Sequence, residues 1–272
     1  MSEKLSVDRR DFLKSAAVTG AAALVPGAVT GQSRQAGQQA GRGGPSGPPA
    51  QASAPVAPRE VDPSDGGEVI TTDRPGGDFM VTPAKGDYAS IPITLEAKKA
   101  GDNWDPVRDE AAGEQCKSYG APALMAVPTR LRITWQDAST LKVETDAGTQ
   151  TRLFYFGDKR PPRGAPTWQG ESIARWERPP AARGAASKAG SLKVVTSHLR
   201  PGYLRKNGVP YGADAVLTEY WDVSADPNGD QWITLTSTVQ DDRYLREPWV
   251  TALNFKKERD GAKWDPTPCS AR

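Results

Sequence analysis

From Leu131 onward the apolar residues recur at every second position. Leu131, Ile133 and Trp135 alternate with Arg130, Arg132 and Thr134, and Leu141 and Val143 alternate with Lys142 and Glu144. A period of two places successive side chains on opposite faces of a strand, so each run predicts a strand with one buried face. Further runs rich in Thr, Val, Trp, Tyr and Phe cover 149–156, 172–177, 192–199, 216–223, 231–239 and 249–255. Turn residues separate several pairs. Asp146-Ala147-Gly148 is one such signal; Asp226-Pro227-Asn228-Gly229 is another and contains the Asn-Gly dipeptide of tight hairpins. No helical pattern intervenes. The reading is all-β, an antiparallel meander of about eight strands; meanders of this kind curl and close to remove exposed edges, so a lipocalin-like barrel is expected, with a two-sheet sandwich as the alternative.

Upstream the alternation stops. Residues 60–128 read as an irregular N-terminal extension to the β-barrel-like domain at 129–272. Pro, Gly and Asp recur there between short apolar pieces, Phe79-Met80-Val81 and Ile91-Pro92-Ile93, that suit edge strands. Residues 104–114 predict a short helix with Pro106 in its first turn, leading to Cys116. Residues 32–59 are mostly Gly, Pro, Ala, Gln and Ser without an aromatic residue, and so bury too little apolar surface to offset the entropy of ordering. They read as a disordered linker.

The first residues have a different organisation. A polar start containing Arg9-Arg10 is followed by Phe12-Leu13-Lys14 and then by a weakly apolar stretch at 16–29. Arg9, Arg10, Phe12 and Leu13 resemble the consensus of twin-arginine export signals, which implies that the translocase of that pathway is a partner. The apolar stretch is too short and too rich in Gly and Ala to span a membrane well, and Pro26-Gly27 interrupts it. A signal peptide over 1–31, with cleavage near Val29-Thr30-Gly31, no stable membrane anchor and a periplasmic or secreted destination are expected.

That destination gives the two cysteines meaning. Cys116 and Cys269 fall in the exported part, where an even count in an oxidising compartment favours a disulfide over two separately buried thiols. A protein folded before export acquires the bond afterwards, so both sulfurs are expected near the surface. Charge excludes one partner class. The chain carries 35 Lys and Arg against 33 Asp and Glu, with no basic stripe, so nucleic-acid binding has no electrostatic footprint. A single histidine, His198, and no cysteine cluster exclude multi-histidine metal sites and iron–sulfur clusters, and nucleotide-binding glycine motifs are missing. No cofactor or metal is expected.

Several short motifs occur in a fixed order. Cys116-x3-Gly120-x-Pro122-x2-Met125-x2-Pro128 comes first, then Pro166-x-Trp168-x-Gly170-x-Ser172, Trp176-Glu177, Leu192 to Thr196, Asp214, Glu219, Tyr244-x3-Pro248-Trp249 and finally Cys269. This order resembles a family of uncharacterised secreted bacterial proteins, over roughly the stretch from 114 to the C-terminus. The resemblance implies fold and compartment but no activity. The chain departs from the family pattern in two places. A long loop, 178–190, replaces a tight Gly-Asp-Thr turn, and Pro210-Tyr211-Gly212 stands where the family has Pro-His-Ser.

The candidate chemistry lies on the strands. Glu219 is in phase with Leu217, Trp221 and Val223; Arg152 is in phase with Phe154 and Phe156; Arg175 is in phase with Ile173. Charges on apolar faces must be paired or reach solvent. The alternatives are a paired structural cluster and a ligand-orienting set inside the barrel. Eight tryptophans offer either core filling or a lined pocket. Gly170-Glu171-Ser172 comes close to a nucleophile elbow but lacks the strand–turn–helix context. The leading expectation is a non-enzymatic binding or accessory β-barrel for a small apolar or amphipathic molecule, with Arg152, Arg175, Trp176, Glu219 and Trp221 as tentative ligand-binding residues. The alternatives are a small-substrate hydrolase or isomerase using a carboxylate such as Glu219 or Glu177, and a structural envelope protein. His198, in phase with Val194 and Thr196, reads as structural.

Overall fold

The computed structural model describes residues 84–162, 164–177 and 190–272, and the backbone of 68–70. The expected signal peptide 1–31, the linker 32–59, the piece Phe79-Met80-Val81 and the loop 178–189 lie outside the described residues.

The domain is all-β and strongly curled, a half-barrel. Strands β1 (Glu68–Ile70), β2 (Leu131–Asp137), β3 (Thr140–Thr145), β4 (Thr151–Phe156), β5 (Glu171–Glu177), β6 (Ser191–Ser197), β9 (Val216–Ala225), β10 (Gln231–Gln240) and β11 (Trp249–Lys256) form one sheet in that order. Two short strands, β7 (Gly202–Tyr203) and β8 (Pro210–Tyr211), make a separate hairpin. The predicted runs and observed strands agree to within a residue or two. The meander is not wholly antiparallel, because β4 and β5 run parallel through Phe154↔Ser172, Tyr155↔Ile173 and Phe156↔Ala174. A parallel pair needs a crossover of roughly a dozen residues or more, which the 157–170 connection supplies.

Two helices stand in the extension. Helix α1 (Leu95–Asp102) starts at Thr94, whose side chain accepts from the Ala97 amide at 3.2 Å. Helix α2 (Pro106–Ala111) is the expected one, capped by Asp105, with Pro106 in its first turn. The extension also contributes to the main core. Tyr119, Leu124 and Met125 pack with Leu131, Ile133, Leu141, Val143, Phe154, Leu192, Val194, Trp221 and Leu235 on the concave face.

Asp146 fastens the C-terminal segment to this core. Its carboxylate accepts from the Arg130 amide (2.7 Å), Thr129 Oγ1 (3.0 Å) and Arg130 Nη1 (3.1 Å), and its carbonyl accepts from the Thr267 amide (2.9 Å). Burial alone would raise this carboxyl; the bonds from Arg130 outweigh it and hold the group below the usual carboxylate range. Cys116 and Cys269 form the expected disulfide, and both are half-buried, as a bond closed on a folded chain requires.

The motif residue Gly120 and the strand residue Gly202 both pack against one tyrosine. A Cβ on Gly120 would lie 2.0 Å from Tyr211 Oη, and one on Gly202 would lie 2.6 Å from the same atom. The hydroxyl wedged between them is buried and has no hydrogen-bond partner among the described residues. An unsatisfied buried hydroxyl is costly, so Tyr211→Phe is expected to be neutral or to stabilise by about 1 kcal/mol in urea unfolding. A loss of that size would show instead that the hydroxyl has an acceptor.

Candidate functional site

The concave face carries one polar group set among apolar neighbours. Arg152 on β4 meets Glu219 on β9 in a two-pronged contact, with Nη1 to Oε1 at 2.8 Å and Nη2 to Oε2 at 2.6 Å. Nη2 also donates to Thr196 Oγ1 on β6 at 3.1 Å, and Thr196 shares a 2.8 Å hydrogen bond with Ser172 Oγ on β5. Phe154 lies against the guanidinium, 4.9 Å from ring centre to Cζ, and Trp221 meets Phe154 edge-on at 5.7 Å. Strands β5 and β6 separate β4 from β9, so on a flat sheet the two backbones would be about 14 Å apart. The ion pair therefore spans the hollow of the curl.

Arg152 and Trp221 are 1% exposed and Glu219 is 0% exposed. Such a pair is sealed from solvent, and both Glu219 oxygens already accept hydrogen bonds from Arg152. Two donors in the same region, Arg152 Nε and Trp221 Nε1, have no acceptor among the described residues.

Four of the five tentative ligand residues thus share the concave side: Arg152, Glu219 and Trp221 in its floor, and Trp176 toward one end. Arg175 does not join them. It lies on the convex face with Ile173, its side chain 55% exposed, and donates from Nε (3.0 Å) and Nη2 (2.6 Å) to Glu177. The inward set of β5 is Ser172, Ala174 and Trp176. Ala174 pairs in register with the bulky Phe156. Burial alone would raise the Glu177 carboxyl, but Arg175 and Lys193 outweigh it and keep the group below the usual carboxylate range. Ser172, in the elbow-like motif, bonds Thr196, whereas His198 Nε2 faces the Gly164 carbonyl oxygen at 3.0 Å. His198 leaves the strand phase expected of it because β6 ends at Ser197 and His198 turns with φ +55°.

The strand ends beyond this floor carry an aromatic rim. Trp135 on β2 and Phe156 on β4 have ring centres 5.2 Å apart, and Phe156 and Trp176 on β5 stack at 5.7 Å. Phe156 is buried, while Trp135, Trp176 and the nearby Val223 are half-buried and pack on the main core. Sequence alternation had placed these residues on strands. It did not group them, because their proximity depends on the curl and on the β4–β5 crossover. Among the described residues no cluster of three His, Cys, Asp or Glu is arranged to hold a metal ion.

These features define a curled β domain with an ion-paired floor and an aromatic rim. A model of the twin-arginine translocation pathway signal sequence matches residues 6–26, so the chain is exported across the membrane. No curated protein and no solved structure matches the chain. No helix among the described residues is long and apolar enough to cross a membrane.

Proposed function

We propose that the exported domain binds a small apolar or amphipathic molecule at the aromatic rim, without catalysing a reaction on it. The observation that carries this reading is the Trp135–Phe156–Trp176 array, two half-buried indoles flanking a buried ring at the end of the concave face. Aromatic surfaces bury a large area per residue and suit flat or aliphatic ligands. Against an acid–base role stands the floor itself: Glu219 has both oxygens taken by Arg152 and no exposure to solvent. The ordered motifs that resemble those of an uncharacterised secreted family fit an exported binding or accessory role.

Native mass spectrometry of protein purified after export tests the reading directly. A copurified small molecule, lost from Trp176→Ala while unfolding remains cooperative, is the expected result. For in vitro titration, 8-anilinonaphthalene-1-sulfonate serves as the amphipathic probe. Trp176→Ala is expected to weaken its binding by about tenfold, the scale of one lost aromatic contact. An apo mass together with equal probe binding by Trp176→Ala and the parent protein would overturn the proposal.

A further inference from the structure

The two sulfurs of the Cys116–Cys269 bond have different surroundings. Cys116 stands at the start of a single helical turn over Lys117–Tyr119, and its side chain makes no capping bond there. Among the described residues no side chain donates to its sulfur. Cys269 Sγ faces a donor, Gln150 Nε2, at 3.4 Å. The neighbours of this carboxamide fix which way it points. Gln150 Nε2 also donates to the Gly148 carbonyl oxygen at 2.5 Å, and Gln150 Oε1 accepts from Gln169 Nε2 at 3.0 Å. Gln169 Nε2 in turn donates to the Tyr119 carbonyl oxygen at 2.7 Å. Main-chain acceptors at both ends of this relay, Gly148 and Tyr119, therefore set the direction of both amides. The other polar atom near Cys269 Sγ is the Gly148 carbonyl oxygen at 3.5 Å, which already accepts from Gln150.

A disulfide sulfur is a weak acceptor, so this aimed N–H does little for the finished bond. It does more for a thiolate, because hydrogen bonds to an ionised partner are roughly twice as strong as those between neutral groups. The thiolate is also the form that attacks a disulfide. We propose that Cys269 is the sulfur that opens the oxidation of the exported chain, stabilised as a thiolate by Gln150, and that its partner is an oxidant bearing a disulfide. The Cys269 thiolate attacks one sulfur of that disulfide. A bond forms between the two, the oxidant's S–S bond breaks, and its other sulfur leaves as a thiolate with the electron pair. Cys116, deprotonated, then attacks Cys269 Sγ and expels the second oxidant sulfur as a thiolate. Two thiols of the chain are oxidised, one disulfide of the oxidant is reduced, and the two protons pass to the departing thiolates.

Competitive labelling of the exported protein after reduction with a phosphine tests the proposal. With substoichiometric iodoacetamide at neutral pH, peptide mapping is expected to find Cys269 labelled several-fold over Cys116. Single-cysteine variants extend the test to exchange itself. Cys116→Ser is expected to react with 5,5′-dithiobis(2-nitrobenzoate) several-fold faster than Cys269→Ser. Gln150→Leu is expected to abolish the preference and to move the rate–pH profile of Cys269 to higher pH, leaving Cys116 as it was. Gln150→Glu keeps the shape but sets a carboxylate against the sulfur, and it is expected to be slower still, an ordering that a packing role would not give. Equal labelling of the two cysteines in the parent protein would overturn the proposal. A Cys269 preference that survives both Gln150→Leu and Gln150→Glu would overturn it as well.

Discussion

Glu219→Leu is expected to lower the stability of the folded domain by about 3–5 kcal/mol, the usual cost of removing one partner from a buried ion pair. The substitution leaves the Arg152 guanidinium 1% exposed with only Thr196 Oγ1 to receive its protons. A domain whose whole stability is about 5–15 kcal/mol loses a large share of it. The double variant Arg152→Met with Glu219→Leu removes both charges and keeps the volume apolar, and it is expected to return to the parent stability or to exceed it. Urea unfolding followed by tryptophan fluorescence measures all three proteins. Recovery in the double variant, with probe binding at the rim retained, would assign the pair to the architecture. A double variant as unstable as the single one would show that something other than mutual neutralisation holds the pair in place, most directly the Thr196–Ser172 chain attached to it.

The second large effect concerns Cys116 and Cys269. They close a loop with a sequence separation of 153 residues. Chain-entropy estimates for a loop of that size give about 5 kcal/mol. Replacing both cysteines by serine is expected to cost close to that amount in urea unfolding. The folded sheet should nevertheless survive, since the C-terminal segment keeps its bonds from the Thr267 amide to the Asp146 carbonyl and from the Ser270 amide to Tyr119 Oη at 3.4 Å. This matters for a chain that crosses the membrane by the twin-arginine route, because it meets the translocase before oxidation. Alkylation of the reduced, folded protein gives a second readout. Both half-buried thiols should react without global unfolding. Thiols that react only at the rate of global unfolding would show that the bond cannot close after folding.

The strands were legible because each has a wet face and a dry face, and alternation reports that contrast. The hairpin at Asp226-Pro227-Asn228-Gly229 was legible for a different reason: Gly229 adopts φ +89°, which the Asn-Gly signal anticipates. Strand β5 shows where alternation fails. Its inward set, Ser172, Ala174 and Trp176, has one large apolar residue, and Ile173 stands in the outward set with Glu171, Arg175 and Glu177, so a phase taken from Ile173 puts Arg175 on the wrong side. Helix α1 was missed within a stretch full of Pro, Gly and Asp. Its signal was present in Thr94 followed by Leu95-Glu96-Ala97-Lys98-Lys99, but eight residues are too few for periodicity to stand out. The pairing of Arg152 with Glu219 could be suspected from two charges on apolar faces. Its geometry could not, because the contact crosses the curl and no local pattern encodes the curl.

The parallel seam between β4 and β5 divides the sheet into two stretches of chain, β1 to β4 and β5 to β11. Within each stretch neighbouring strands are also successive in the chain, except where the β7–β8 hairpin intervenes between β6 and β9. The three register pairs of the seam are the only parallel pairing among the strands of the sheet. Arg152 and Glu219 lie on opposite sides of that division, and so do Cys116 and Cys269. One crosslink is ionic and internal, and the other is covalent and formed outside the cytoplasm. The two stretches of chain are therefore tied across the seam by two crosslinks of different kinds, one complete once the domain is folded and the other dependent on the compartment to which the chain is sent.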